Sequence, residues 1–485
     1  MPNRPLPLTA LLGCGLLLCS LRAAAIEPPS AAPVAEAPAQ TAAPGAIRAV
    51  DSIAALQAAI NVAVAGDTIA LKNGVYPTSA PITVNRAGTA DRPITIAAES
   101  VGGVEIAGSH GFAVMEPATD LVISGFKFTH AAGRNSIDEG TSRVRFTRNT
   151  FLCSGDGAYL TVAGDDAQID YNEFGPKKAT GTMIAVAGPG SQVARRLWIH
   201  HNYFHDFAND GSNGAEMIRF GLLSAHGQST GAGLVEHNLF VRCRGVSDMI
   251  SNRCSGNTFR YNTFLDSPTS HVTLRLGNDC VVSGNYFRNT EGLRFFGARH
   301  QILSNYFEGN YIAVAIGNGD TESTDGAQTN NHTRPDDCVI AFNTFIDNRT
   351  HYQMSRRSPS GLGATKTTFA NNLLQDGGAA ADIKGPNLGA IWRGNLLWGT
   401  ATANDLPAEG YTTADPMLVA GPDGIKRLQA GSPAIAAALG DFPAVAFDLD
   451  GQPRPEKKAI GADELSPAPA TARFLTPADV GPEAK

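Results

Sequence analysis

The sequence predicts an all-β chain wound as a right-handed parallel β-helix, a solenoid with a short N-terminal capping helix. Three observations carry that prediction. A short pattern recurs: RNTF at 148–151, YNEF at 171–174, HNYF at 201–204, HNLF at 237–240, YNTF at 261–264, GNYF at 284–287, SNYF at 304–307 and FNTF at 342–345, with weaker copies at 370–374 and 393–397. Its shortest spacings, 20 to 24 residues, are a period of stacked repeats. Each repeat holds only short β-branched and aromatic runs such as QILSNYF, with no helix-length segment and no leucine-rich pattern, which leaves one β-coil per repeat. Finally, 52 glycines and only 17% charged residues suit a chain of many tight turns rather than a helical bundle or a disordered polymer.

Taken in order, residues 1–25 read as a secretory signal, with Arg4 before an apolar run that ends in Ala23-Ala24-Ala25. It is too short and wrongly flanked for a membrane span, so the expected destination is the periplasm or the exterior of a Gram-negative cell. A lipoprotein site at Cys14 is the lesser alternative, because the apolar run continues to Leu18. Residues 26–46 are rich in Pro and Ala and read as a disordered linker. DSIAALQAAINVAV at 51–64 has an Asp or Ser cap and helical apolar spacing, and this helix would cover the open end of the solenoid. The β-helix runs over 47–400. A Pro/Gly-rich closing segment follows at 401–466, and 467–485 read as a disordered tail. The Phe two places after each Asn should stack inside. Each Asn should sit at a bend, where its amide bonds the neighbouring coil and the residue itself tolerates left-handed φ. Both are structural.

Cleavage of the signal leaves five cysteines, 153, 243, 254, 280 and 338, without a CxxC, so zinc is not expected and buried thiols are. One disulfide among Cys243, Cys254 and Cys280 remains open. A net charge of −7 argues against a general nucleic-acid binder, but a local basic cleft can still take a polyanion.

In a β-helix, residues one period apart lie about 4.8 Å above one another. Counted back from the Asn of each coil, Arg253 stands nine residues before Asn262, Arg275 ten before Asn285 and Arg294 eleven before Asn305. Three stacked arginines of nearly one phase repel unless an anion fills the space between them. Arg219 extends the set, although the insertion at 222–232 disturbs its phase. A basic groove on a secreted β-helix suits an acidic polysaccharide. For uronate polymers the distinctive chemistry is β-elimination: a base takes the C5 proton, a cation neutralises the carboxylate and stabilises the enediolate, and O4 departs. Hydrolysis would need two spaced carboxylates. Asp165-Asp166 and Asp336-Asp337 exist but share no phase with the arginines.

GDTIALKNGVY and GTADRPITIAAE, then NGAEMIRFG, VEHNLFVRCRGVSDMISNRCSGNTFRYNTF and VTLRLGN, resemble polysaccharide lyase family 6, which holds chondroitinase B and many alginate lyases. The resemblance covers roughly 48–465 and implies a Lys base, an Arg partner on the next coil, and often a calcium ion held by an Asn and two acids. Carried over residue by residue, Arg275 matches the Arg and Arg253 stands at the base. Asn213 matches the Asn ligand and Asp248 one acid. Val246 replaces the other acid, and Leu276 replaces a His that commonly follows the Arg. Asn213 and Asp248 alone make a vestigial metal site, since calcium takes six to eight oxygens, so no cofactor is expected. A plain salt bridge to an arginine weighs as much for Asp248. An Arg base resembles some pectate lyases, and a neighbouring Arg275 would disfavour the charged form of Arg253. His271 and Tyr261 are lesser candidates for the base. Arg219, Arg294, Arg299 and His271 are the expected substrate-binding residues. The expected function is a secreted, monomeric lyase of alginate first and of chondroitin or dermatan sulfate second. Competing readings are a binding β-helix that has lost its base, and a C5-epimerase.

Overall fold

The computed structural model describes residues 45–485 apart from 132–133, 209–213, 245–246, 323–331, 357–360 and 400–401. The signal and most of the linker, Asn213, Val246 and most of the 320–335 loop therefore lie outside the described residues.

Three parallel sheets carry the chain, of 14, 14 and 13 strands in the order a coil visits them, and along most of the sequence strands of one sheet recur at every third position. One coil shows the plan. Leu234–Glu236 belongs to the first sheet, Leu239–Arg244 to the second and Asp248–Arg253 to the third, and Thr258–Arg260 re-enters the first. The strands are short because the chain must turn three times per coil.

The repeated motif explains the coil. From Asn149 to Asn395, each Asn Nδ2 donates to Oδ1 of the next Asn at 2.9–3.1 Å, an unbroken amide ladder at the corner between first and second sheets. Left-handed backbone falls not on the Asn but on the residue before it: Arg148, Tyr171, His201, His237, Tyr261, Ser304, Phe342 and Asn371 all have φ between 51° and 57°. The preceding residue makes the bend, and that turns the Asn side chain inward along the stack. The phenylalanines follow it into the core, where Phe151, Phe174, Phe204, Phe240, Phe264, Phe287, Phe307 and Phe345 stack at 4.5–5.2 Å. All five cysteines are buried free thiols, so no disulfide joins Cys243, Cys254 and Cys280.

The capping helix is Ile53–Asn61, shorter than the predicted 51–64, and the Oγ of Ser52 accepts from the Ala55 amide at 3.2 Å. Leu56 and Ile60 enter the core. Gln57 closes an exposed edge: its amide donates to Thr83 O at 2.8 Å and accepts from Thr83 N at 2.9 Å, standing in for a missing strand beside Ile82–Val84.

The closing segment does its work on the second sheet. Ile425, Leu428, Leu449 and Ile460 pack against Tyr286, Tyr306, Ile346 and Leu373. The expected disordered tail is a correction, because it is ordered along the same face. Leu475 and Val480 pack on Leu239 and Val241, Leu475 N donates to Thr263 Oγ1 at 3.0 Å, and Arg148 Nη1 donates to Pro482 O at 2.6 Å. A segment without periodicity orders here because the solenoid supplies a ready apolar and polar surface. The closing segment and the tail lie on the second sheet, and the arginines singled out by the sequence lie on the third.

Candidate active site

On the third sheet Ile218–Phe220, Asp248–Arg253, His271–Leu276 and Leu293–Phe295 lie side by side. Their register places Arg219, Ser251, Thr273 and Arg294 in one outward row. Arg253 and Arg275 stand two residues further along. The register slips between Asn252 and Arg253, so that Arg253 pairs with Leu276 and Arg275 becomes the extra residue. The predicted single column of Arg253, Arg275 and Arg294 is therefore two rows, with Arg219 and Arg294 in one and Arg253 and Arg275 in the other. The drift from nine to eleven residues was a real change of phase.

Two buried carboxylates underlie these rows. Asp248 is 2% exposed, and its Oδ1 accepts from Thr273 Oγ1 at 2.8 Å and Arg294 Nη2 at 3.2 Å. His271 Nε2 lies 3.1 Å from the same oxygen, and Arg275 Nη1 lies 3.9 Å from Oδ2. Burial pushes the Asp248 carboxyl up. The approach of His271, the charge of Arg294 and the Thr273 hydroxyl outweigh it and hold the group below the usual carboxylate range. The salt-bridge reading of Asp248 thus describes its surroundings. Glu216, which the sequence reading passed over, stands two residues before Ile218 as Asp248 stands two before Ile250, and these isoleucines are register partners. It is also 2% exposed, with Oε1 3.9 Å from Arg219 Nη1, Oε2 without a hydrogen-bond partner, and a carboxyl raised above its ordinary range by burial. Two carboxylates one coil apart repel by about 3 kcal/mol at an effective dielectric of 20, so the arginines are required for them to coexist.

Arginine nevertheless exceeds acid. Four guanidiniums (219, 253, 275, 294) face Glu216 and Asp248, and the excess persists when Glu291, 3.3 Å from His271 Nδ1, is counted. Arg253 is the outlier: among the described residues it alone of the four pairs with no carboxylate, and its Nε, like that of Arg219, is buried with no hydrogen-bond partner. Burial, then Arg219 and Arg275, push its guanidinium down to about 10.

The other expected residues are distributed as follows. His271 lies in the cluster, against Asp248 and Glu291. Arg299 does not: it is committed to Asp279 through two bonds of 2.7 and 2.8 Å. Tyr261 stacks on His237 at 5.4 Å at the corner between the first and second sheets. Leu276 packs against the insertion at Gly227, where an added Cβ would lie 3.2 Å away. Asp165 and Asp166 are clamped by Arg195 and Arg196, which removes them from hydrolytic work.

Glu216 and Asp248 are engaged by arginines, and Asn213, the other ligand expected of a calcium site, lies outside the described residues. Among the described residues no group of three or more His, Cys, Asp or Glu side chains could hold a metal. Both Asp248 oxygens already face cations, and Glu216 faces Arg219.

A solenoid of stacked parallel coils, one per repeat, defines a class, the parallel β-helix proteins. Residues 50–361 match the chondroitinase B family, and the chain belongs to it, within polysaccharide lyase family 6. Among solved structures, the family 6 alginate lyase AlyGC is 24% identical with a TM-score of 0.67, over 80% of this chain and 56% of that one. This chain therefore spans little more than half of that lyase. A mannuronic acid specific family 6 lyase from human gut microbiota is 21% identical (TM-score 0.62, 76% of this chain, 91% of that chain). A family 6 alginate lyase in complex with a trisaccharide is 19% identical (TM-score 0.65, 80% and 92%). These likenesses bear on the fold. No curated protein matches.

Proposed function

We propose that the protein is a secreted lyase that cleaves a uronate-containing polysaccharide by β-elimination, with alginate its first substrate. The observation that carries this is Arg253, a half-buried guanidinium without an acceptor for its Nε, set between Arg219 and Arg275. In this reading Arg275, with Arg219 and Arg294, binds the uronate carboxylate and stabilises the enediolate. The neutral form of Arg253 takes the C5 proton, and O4 leaves. Asp248 and His271 act through the arginines by fixing their positions. No metal enters the sequence of steps. Secretion rests on residues 1–25. Among the described residues no helix is long and apolar enough to cross a membrane.

Two facts favour alginate over chondroitin or dermatan sulfate. The solved family 6 structures reported above are of alginate or mannuronate lyases, and among the described residues the cluster offers no further arginine for a sulfate once Arg299 is bound to Asp279. The test is a panel of uronate polymers followed by the ultraviolet absorbance of the unsaturated product, in chelator and in calcium. Cleavage of alginate in chelator is the expected result. No rise with any polymer sinks the reading. Polymer binding without turnover would leave the groove as a binding surface, a reading favoured by the arginine at the base position.

A further inference from the structure

We infer that a second groove, at the corner between the second and third sheets, holds the units of the same polyuronate chain that lie beyond the reacting one. This inference rests on the lyase reading. The groove is a concavity of about 510 Å³ walled by Asn289, Tyr311, Asp347 and Arg349. Its floor is backbone, and for a reason. An added Cβ at Gly377 would lie 2.3 Å from Asn348 O, and one at Gly378 would lie 2.0 Å from Arg349 O, so the coils approach too closely there for any side chain. The corner is also rigid: Asn310 Nδ2 donates to Asn348 Oδ1 at 2.9 Å, and Thr290 Oγ1 donates to Asn310 Oδ1 at 2.7 Å.

The walls suit an acidic sugar. Tyr311 is 48% exposed and presents a ring of the kind on which a pyranose can lie. Arg349 has its guanidinium carbon 4.5 Å from that ring's centroid, and no acidic partner among the described residues. It therefore offers a fork to a carboxylate. Asp347, an exposed carboxylate on the rim, opposes a dense run of negative charge and favours hydroxyl contacts. This keeps the groove to one carboxylate rather than several.

The groove continues the arginine cluster. His271 at the cluster touches Glu291, which follows Asn289 and Thr290 of the groove wall. Tyr311 stands four residues before Ala315, the register partner of Arg294, or roughly 13 Å along the strand direction and one coil over. That separation suits a neighbouring stretch of one polymer, not a second molecule.

The experiment compares KM for an alginate trimer and an octamer in wild type, Tyr311→Ala, Arg349→Ala and Arg294→Ala. The first two substitutions should raise the ratio of octamer KM to trimer KM by about fivefold to tenfold, the loss of one charge-assisted or stacking contact. Arg294→Ala should raise both KM values and leave the ratio near that of wild type. An unchanged ratio in Tyr311→Ala and Arg349→Ala, with wild type cleaving normally, overturns the groove. If wild type cleaves no polymer, the lyase reading has failed. Calorimetric titration of the octamer then judges the groove alone: weaker binding in Arg349→Ala supports it, and equal binding overturns it.

Discussion

Arg253 and Arg454 are both arginines drawn out of water, and they are furnished in opposite ways. Arg454, in the closing segment, has a wholly buried side chain and a full set of acceptors. Nη1 donates to Glu464 at 2.6 Å, Nη2 to Gly461 O and Ala462 O at 2.8 Å each, and Nε to Phe447 O at 3.4 Å. Arg253 has other arginines for neighbours and a buried Nε with nothing to accept from it. A structural arginine consumes its acceptors within the fold. Arg219 shares the orphan Nε but keeps Glu216 at 3.9 Å, so Arg253 is the guanidinium of the cluster with no carboxylate of its own among the described residues. Lys177 lies between the two, buried, with one carbonyl (Gly157, 3.2 Å) and the Tyr159 ring at 4.1 Å for company.

The contrast breaks first at Arg253. Arg253→Ala should lower kcat by about 10³-fold, within the range for loss of a general base, while the denaturation midpoint holds or rises because a repelled charge is gone. A large loss of stability would place Arg253 with Arg454. Arg454→Ala should do the reverse: it strands Glu464 in the core and should cost about 3–5 kcal/mol in chemical denaturation. If the purified variant folds as well as wild type, the distinction fails.

A third expectation concerns pH. A base works in its deprotonated form. With the Arg253 guanidinium pushed down to about 10, the active fraction rises with pH, and kcat/KM should climb roughly tenfold per unit from pH 7 towards a plateau near 10. A profile flat from 7 to 9 would exclude Arg253 as the base. Asp248→Asn, which removes the anchor of Arg294 and His271, should raise KM about tenfold in steady-state kinetics, the effect of one charge-assisted contact. Retention of wild-type KM would show that the arginines need no anchor.

The smallest effect belongs to Lys177. Burial pushes its amine down to about 8, so below that pH the folded state carries a charge it disfavours, and the penalty disappears as pH rises through 8 towards the ordinary lysine value. Lys177→Met should therefore stabilise by about 1–2 kcal/mol at pH 7, with the gain shrinking by pH 10. Paired urea melts at the two pH values check it. A gain that does not shrink would point to packing rather than charge.

The repeated Asn and Phe were legible because each does one job on every coil. The amide ladder and the ring stack demand the same residue at the same place, and a period survives insertions of any length in the corners. The site lacked that redundancy. Each of its residues occurs once, and its phase is read against a backbone that slips at Asp248 and at Asn252. Counting back from the Asn therefore found arginines that the structure gathers on one sheet and put Arg294 in the wrong row. Glu216 was visible only as a lone acid upstream of the 222–232 insertion, where the count had already been lost. Arg299 had the right residue type and the wrong neighbour, Asp279, on the preceding coil.

The sequence by itself determined the parallel β-helix, its helical cap, the inward Asn and Phe ladders, the family and the gathering of arginine about residues 219–294, because periodic local pattern is enough to specify coils that bury one another. Only the tertiary structure decided which arginines share a row, that Glu216 and Asp248 stack beneath them, and that the last residues lie ordered along the second sheet. Those outcomes depend on register between coils and on surfaces built by distant residues, and neither is written in any one stretch of chain.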